Sequence, residues 1–467
     1  MLENVLYLLS ECSLISGALF LILSAIFTDS SQRFCFSVSK SAVVLSALFA
    51  VLFYNKSFLE EYFVVSSGTT LIFVLSSGLT FVWLILASKW FAAHKDYSAH
   101  WFCVCALLLL LSLKMISQTT HLGILFAFIG LLFLLQYALF AISRQSEELY
   151  HTGRKYFWIS MLFMLLLAAI LIVLKNESWQ YNALGEYLSQ APKNIRVFAV
   201  SSLVCVLLFL LGAAPFQFWR ADRIAPLILP VAMYFEIVPV LALWTLFSKL
   251  NNSLFFGFSE KMQNIYLVFG FLSVVFGIIG ANASRFARKI FASVSLYQAG
   301  VLLLIFSTLK TNIFPACLIY TELYLYVLLG IYVCFYAIKS GGEYANNLSA
   351  FKGLVSMRPY VGGAFVFLVI ILIGLPPFAL FLTEFMMLIT VAKYPLVVYT
   401  ALLGLVMLVP VCLKIVQTVC FLPREKSFDR PDFTTYVSLL IYFALFVLMS
   451  VKPQYILIQE TILSGGM

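Results

Sequence analysis

The chain has 467 residues, of which 63% are hydrophobic, 16% aromatic and only 10% charged, against about 25% charged in ordinary soluble domains. That much apolar side chain cannot be hidden in soluble domains, so the length implies one membrane domain rather than three globular ones. The net charge of +9 comes from Lys and Arg scattered singly through short connections, with no run or stripe to hold nucleic acid.

Apolar stretches long enough to cross about 30 Å of hydrocarbon predict helices near 4–27, 38–54, 69–88, 100–117, 119–142, 156–175, 196–219, 224–248, 263–282, 290–308, 313–338, 360–384, 394–422 and 434–451. The expected fold is therefore an all-α integral membrane protein of about fourteen transmembrane helices. Connections are short, and the long polar ones lie around 176–195 and 339–358. The Met-Leu-Glu-Asn start carries neither the basic region of a signal peptide nor an Arg-rich transit pattern, so the first helix is expected to stay in place. The nine Cys lie mostly in apolar segments and there are four His. Cys103 and Cys105 do not form a CxxC pair, and no metal site is expected.

Orientation follows from the basic residues. Seventeen of the 29 Lys and Arg fall in odd-numbered connections, among them Arg33, Arg154, Arg288 and Arg358, and nine fall in even-numbered ones and their flanks, among them Lys114 and Lys249. The positive-inside rule then puts the odd connections in the matrix or cytoplasm and both termini on the opposite side.

An internal repeat is also legible. Arg196, Gly212, Pro215 and Phe216 of the seventh span recur as Arg358, Gly374, Pro377 and Phe378 of the twelfth, each pair 162 residues apart. Helices 7 and 12 are thus expected to be broken, with each Pro removing a backbone donor. Equivalents five helices apart must be inverted relative to one another, which is how many transporters build a central site. The expected organisation is a single polytopic domain over 1–467: helices 1–3 in 1–99, a first repeat in 100–250, a second in 260–422, and helix 14 with a C-terminal tail in 434–467.

A charge at a helix centre costs about 2.5–3.5 kcal/mol on insertion scales, so those retained are paired, hydrated or functional. Glu236, Glu322, Glu384 and Lys414 are deep in their spans, Lys114 is nearer a span end, and Gln298 is neutral but capable of hydrogen bonding. Lys114 is equally readable as a side chain snorkelling to the interface. Acids and bases on successive helices suit a proton relay, with Glu384 and Lys414 exchanging protons through water. No phosphate loop, nucleotide fingerprint, cluster motif or haem attachment motif appears, so electron transfer on this chain is not expected.

Four segments then resemble a known family. Leu211-Gly-Ala-Ala-Pro-Phe-Gln-Phe-Trp219, Arg288 to Gly300, Gly374-Leu-Pro-Pro-Phe-Ala-Leu-Phe-Leu-Thr-Glu384 and Leu413-Lys414-Ile-Val are similar in order to helices 7, 10, 12 and 13 of the antiporter-like subunits of respiratory complex I, most of all the subunit 2 (bacterial subunit N) type. Lys155-Tyr156-Phe157 fits the start of that family's sixth helix. The resemblance implies a proton-translocating membrane-arm subunit of NADH:ubiquinone oxidoreductase, built from fourteen helices in two inverted five-helix repeats. It implies proton-path roles for Lys114, Lys155, Glu236, Gln298, Glu322, Glu384 and Lys414, other membrane-arm subunits and lipids as partners, and the mitochondrial inner membrane or a bacterial plasma membrane as location. It places NADH, flavin, iron–sulfur clusters and ubiquinone on other subunits, with no cofactor here. An end soon after the fourteenth helix fits subunit 2 rather than the longest relative.

The chain departs from that pattern in its first half. Gly130 to Gln136 holds no acid, the lysine of the seventh helix falls at Leu210, that of the eighth falls near Val240, and the twelfth-helix position is Glu384 instead of lysine. Glu236, one turn before Val240, is the candidate replacement. Two other readings follow: a non-pumping structural subunit of the same arm, and a subunit of a monovalent cation/proton antiporter.

Overall fold

A computed structural model describes residues 8–27, 31–53, 62–143, 147–174, 179–224, 226–253, 259–308, 313–340, 343–374, 376, 378–423 and 428–429. The expected fourteenth span, the C-terminal tail, the extreme N-terminus and Pro377 lie outside the described residues. In chain order the helices begin with α1 (Leu9–Phe27), α2 (Gln32–Leu52), α3 (Ser67–Ala93), α4 (Ala99–Gln118), α5 (Leu122–Ile142) and α6 (Glu147–Val173). There follow α7 (Tyr181–Gln190), α8 (Lys193–Leu211), α9 (Gln217–Ile224), α10 (Leu229–Ile237), α11 (Val240–Ser253) and α12 (Ser259–Ala283). The longer helices that follow are α13 (Ala287–Phe306), α14 (Phe314–Ala337), α15 (Pro359–Leu372), α16 (Ala379–Thr390) and α17 (Pro395–Val416). A two-residue antiparallel pair, β1 (Lys339–Ser340) and β2 (Glu343–Tyr344), follows α14.

Among the described residues, twelve helical segments, counting α10 and α11 as one, are long and apolar enough to cross a membrane. With the interrupted pair α15 and α16 they account for the first thirteen expected spans. The chain is a multi-pass membrane protein. Their ends are set by local chemistry. Ser66 caps α3, accepting from the Thr69 N–H at 3.2 Å while its own N–H donates to the Thr69 hydroxyl at 2.9 Å, so two otherwise orphaned donors are satisfied. The connection around 176–195, expected only as polar chain, contains α7, which buries Tyr181, Leu184 and Leu188.

The described residues pack as two units. The first takes the chain up to Leu211 together with Val238–Ser259. Its centre is α4, packed against α1, α2, α3, α5 and α11, with 78% of its apolar window buried where α6 buries 28%. The second takes Gly212–Ile237 and the described residues from Glu260 onward. Its centre is α13 and α14, each 94% buried over the apolar window. Glycines let α12 and α13 meet backbone to backbone: a Cβ on Gly277 would lie 2.6 Å from the Tyr297 nitrogen, and one on Gly300 2.7 Å from the Val274 nitrogen.

Both expected breaks are present, but their cause differs from the expectation. Helix α8 stops at Leu211 because Gly212 turns to φ 65°, and α15 stops at Leu372 ahead of Gly374 at φ 73°. A left-handed residue just past the helix ends it, and the helix has already stopped when Pro215, whose bond to Ala214 is cis, is reached. The freed backbone is re-satisfied locally: the Ala214 N–H donates to the Ser273 hydroxyl at 2.8 Å, and Phe216 to the Ala213 carbonyl at 2.8 Å. The eighth span is interrupted too, unlike the single helix expected over 224–248. Pro239 cannot donate to the carbonyl of Phe235, and α10 ends at Ile237.

Candidate functional site: a buried polar axis in the second unit

Glu236 sits in the last turn of α10, fully buried. Arg220 of α9, Tyr332 of α14 and Arg288 in the first turn of α13 act on its charge. Arg220 and Arg288 are 6% and 8% exposed, so neither is the solvated connection charge that the topology count takes it for. Arg288 donates through Nη1 to the Leu227 carbonyl and through Nε to Asn346 Oδ1 at 2.9 Å, which fixes its guanidinium at this mouth of the unit. Arg220 packs its stem over the bare face of Gly212, where a Cβ would stand 2.7 Å from Arg220 Cδ. The broken helix therefore delivers a cation to the buried acid.

The polar side chains continue along α14. Tyr324 shares a 2.5 Å hydrogen bond with Ser295 of α13 and lies within electrostatic reach of Glu236 and Arg220. Tyr320 donates to Gln298 and lies within reach of Glu384, Tyr297 and Tyr324. Glu384, in α16 and 3% exposed, has Oε2 3.0 Å from where a Cβ on Gly374 would stand. Here too the glycine of the break makes room for a charged group. Tyr297 donates to the Ala401 carbonyl at 3.3 Å, and its ring packs against Gly404.

The remaining sequence-derived candidates fall elsewhere. Lys414 does not join Glu384: its Nζ donates to the carbonyls of Asn282 at 3.1 Å and Ser284 at 2.9 Å, at the C-terminus of α12, where a cation complements the helix dipole. Glu322 is buried in α14, yet it stands two residues from both Tyr320 and Tyr324, about 200° round the helix from that face. Lys155 is exposed on α6 and does not line a buried path. Lys114 does not snorkel; in the first unit it is 1% exposed, pairs with Glu11 at 2.5 Å, donates to Ser10 and stands 4.8 Å over the Phe73 ring. Gln136, at the end of the acid-free stretch of the fifth span, accepts from Tyr156, and Leu210 and Val240 are buried apolar groups.

The sequence reading missed Arg220, Arg288, the α14 tyrosines and Lys249. The Nζ of Lys249 is buried without a hydrogen-bond partner among the described residues, although the topology count treats it as a flank. The four-residue rhythm of tyrosines in the eleventh span was the available signal for the polar face.

Interrupted helices that bring buried acids and arginines onto one axis define an antiporter-like membrane subunit. Residues 119–409 match the family described as NADH:quinone oxidoreductase/Mrp antiporter, TM, and the chain belongs to that family. It is 22% identical over 436 residues to NADH-quinone oxidoreductase subunit N of Pelagibacter ubique, covering 92% of each chain. It is 25% identical over 367 residues to the subunit N of Parvibaculum lavamentivorans, covering 76% of each. The fold is similar to a chain of respiratory complex I from Thermus thermophilus, with TM-score 0.79, 18% identity and coverage of 95% and 97%. A chain of the archaeal membrane-bound sulfane sulfur reductase matches with TM-score 0.85 at 17% identity over 98% and 96%. A chain of the Mrp complex from Dietzia matches with TM-score 0.81 at 16% identity over 99% and 97%.

Proposed function

We propose that the chain is an antiporter-like subunit in the membrane arm of a proton-translocating NADH:quinone oxidoreductase, respiratory complex I. The observation that carries this reading is the pair of fully buried acids, Glu236 and Glu384, held beside broken helices on one polar axis of the second unit. A deep carboxyl such as Glu384, whose Oε1 has no hydrogen-bond partner among the described residues, is costly in a merely structural subunit, and buried acids are the groups a proton path requires. The curated relatives named subunit N support the assembly. Other membrane-arm subunits and lipids are its partners. NADH, flavin, iron–sulfur clusters and quinone are held by other subunits, and this chain holds no cofactor. Its location is the mitochondrial inner membrane or the equivalent bacterial plasma membrane, with Arg154 and Arg288 on the matrix or cytoplasmic side and both termini opposite. Gln298, Glu322, Lys114, Lys155 and Lys414 flank the axis or stand apart from it, and the relay is assigned to Glu236 and Glu384.

The non-pumping reading draws on the first unit, where the resemblance puts the seventh-helix lysine at Leu210 and the eighth-helix lysine near Val240. Glu384→Gln separates the two, because it keeps shape and hydrogen bonding while removing titration. The complex assembles, and protons pumped per electron fall. An assembled variant with an unchanged ratio would leave the structural role as the better one. Co-purification with flavin and iron–sulfur subunits, as opposed to a redox-free assembly, separates complex I from a cation/proton antiporter.

A further inference from the structure

Helix α14 carries Tyr320, Tyr324, Tyr332 and Tyr336, all buried. Tyr320 and Tyr324, one turn apart, share a face, and Tyr332 and Tyr336 continue the row as a stripe that winds about 160° round the helix over sixteen residues, about 24 Å of rise and most of the hydrocarbon thickness. The rhythm skips one position, where Leu328 stands. That is the stretch into which Glu236 projects from α10, with both Tyr324 and Tyr332 within electrostatic reach of its carboxyl. Tyr336 lies within reach of Arg288 at the mouth, and Tyr320 within reach of Glu384 at the other end. The carboxyl thus fills the missing rung of a row of hydroxyls.

Packing does not account for the oxygens. Phenylalanine would fill the same space, yet the Tyr332 hydroxyl is set against the Glu236 carboxyl, and the hydroxyl of Tyr336 has no hydrogen-bond partner among the described residues. A buried polar atom left in that state is costly. The hydroxyls of Tyr324 and Tyr320, by contrast, are aimed by Ser295 and Gln298 of α13.

We propose that this tyrosine stripe of α14 is a hydroxyl ladder that carries protons between the Glu236 cluster and Glu384, with Tyr324 and Tyr320 as the rungs between the two acids. Each step is balanced and involves no redox change: a hydroxyl oxygen accepts a proton on a lone pair and releases its own to the next oxygen. The inference rests on the pumping reading above.

The test uses the intact complex in sealed vesicles, with proton-to-electron ratio, quinone reductase rate and assembly measured together. Tyr324→Phe keeps the ring and removes one rung, so it lowers the ratio to the same value as Glu384→Gln. The double variant falls no further, because both interrupt one series path. Should Tyr324→Phe fail to assemble, Tyr320→Phe carries the same expectation. Tyr266→Phe, at a buried tyrosine of α12 off the ladder, leaves the ratio unchanged. A lowered ratio for Glu384→Gln with wild-type ratios for both ladder variants overturns the ladder and leaves the pump standing. An unchanged ratio for Glu384→Gln removes the pump and the ladder together. An equal loss for Tyr266→Phe shows a general packing effect and also overturns the ladder.

Discussion

Glu11 and Lys114 show how a buried charge is tolerated inside an apolar bundle. They are 4% and 1% exposed and 103 positions apart, and their contact ties α1 to α4. Such a pair adds little over well-packed apolar side chains, but removing one partner strands the other. Lys114→Met by itself is therefore expected to lose about 3–5 kcal/mol, and Glu11→Leu combined with Lys114→Met to recover most of that loss. Thermal unfolding of the solubilised complex reads both, and a double variant no more stable than the single one would show that the two charges are not coupled. Lys249 is the contrasting residue, since its buried ammonium has no hydrogen-bond partner among the described residues.

At the scale of the element, the breaks in the seventh and twelfth spans rest on two glycines. Gly212 and Gly374 hold left-handed φ values, which cost a side-chain-bearing residue about 1–2 kcal/mol, and both also give space to a charged neighbour. Gly212→Ala would press on Arg220 and Gly374→Ala on Glu384. Both substitutions are expected to lower thermal stability and the proton-to-electron ratio. Gly78→Ala, in open space on α3, is expected to be neutral or to gain about 0.5–1 kcal/mol from reduced chain entropy. Equal behaviour of all three variants would mean that the conformation at the breaks is not what matters.

For the molecule as a whole, the positive-inside asymmetry predicts which compartment each connection faces. Lys155 at the start of α6 and Gln190 at the end of α7 are both exposed, and one membrane span separates them. Cysteines placed at these two positions should react with an impermeant reagent from opposite sides, Lys155→Cys from the matrix or cytoplasm. Labelling of both from one side would overturn the topology and the inverted relation of the repeats.

The amino-acid pattern alone determined the first thirteen spans, the 162-residue repeat, the location of the breaks in the seventh and twelfth and the presence of deep acids. These depend on hydropathy summed over a helix and on Gly and Pro, which act within a few residues of themselves. It did not determine which charges meet. A membrane helix that is apolar almost all round gives no stripe to orient it, so the face on which Glu322, Glu384 or Lys414 lies is set only by neighbouring helices. Packing sent Lys414 to cap α12, turned Glu322 away from the tyrosine face and drew Arg220 and Arg288 inward from positions that read as connections. It also paired Glu11 with Lys114 across 103 residues. Electrostatic partnership within a low dielectric depends on distances of a few ångströms between helices, and those distances exist only once the tertiary structure has formed.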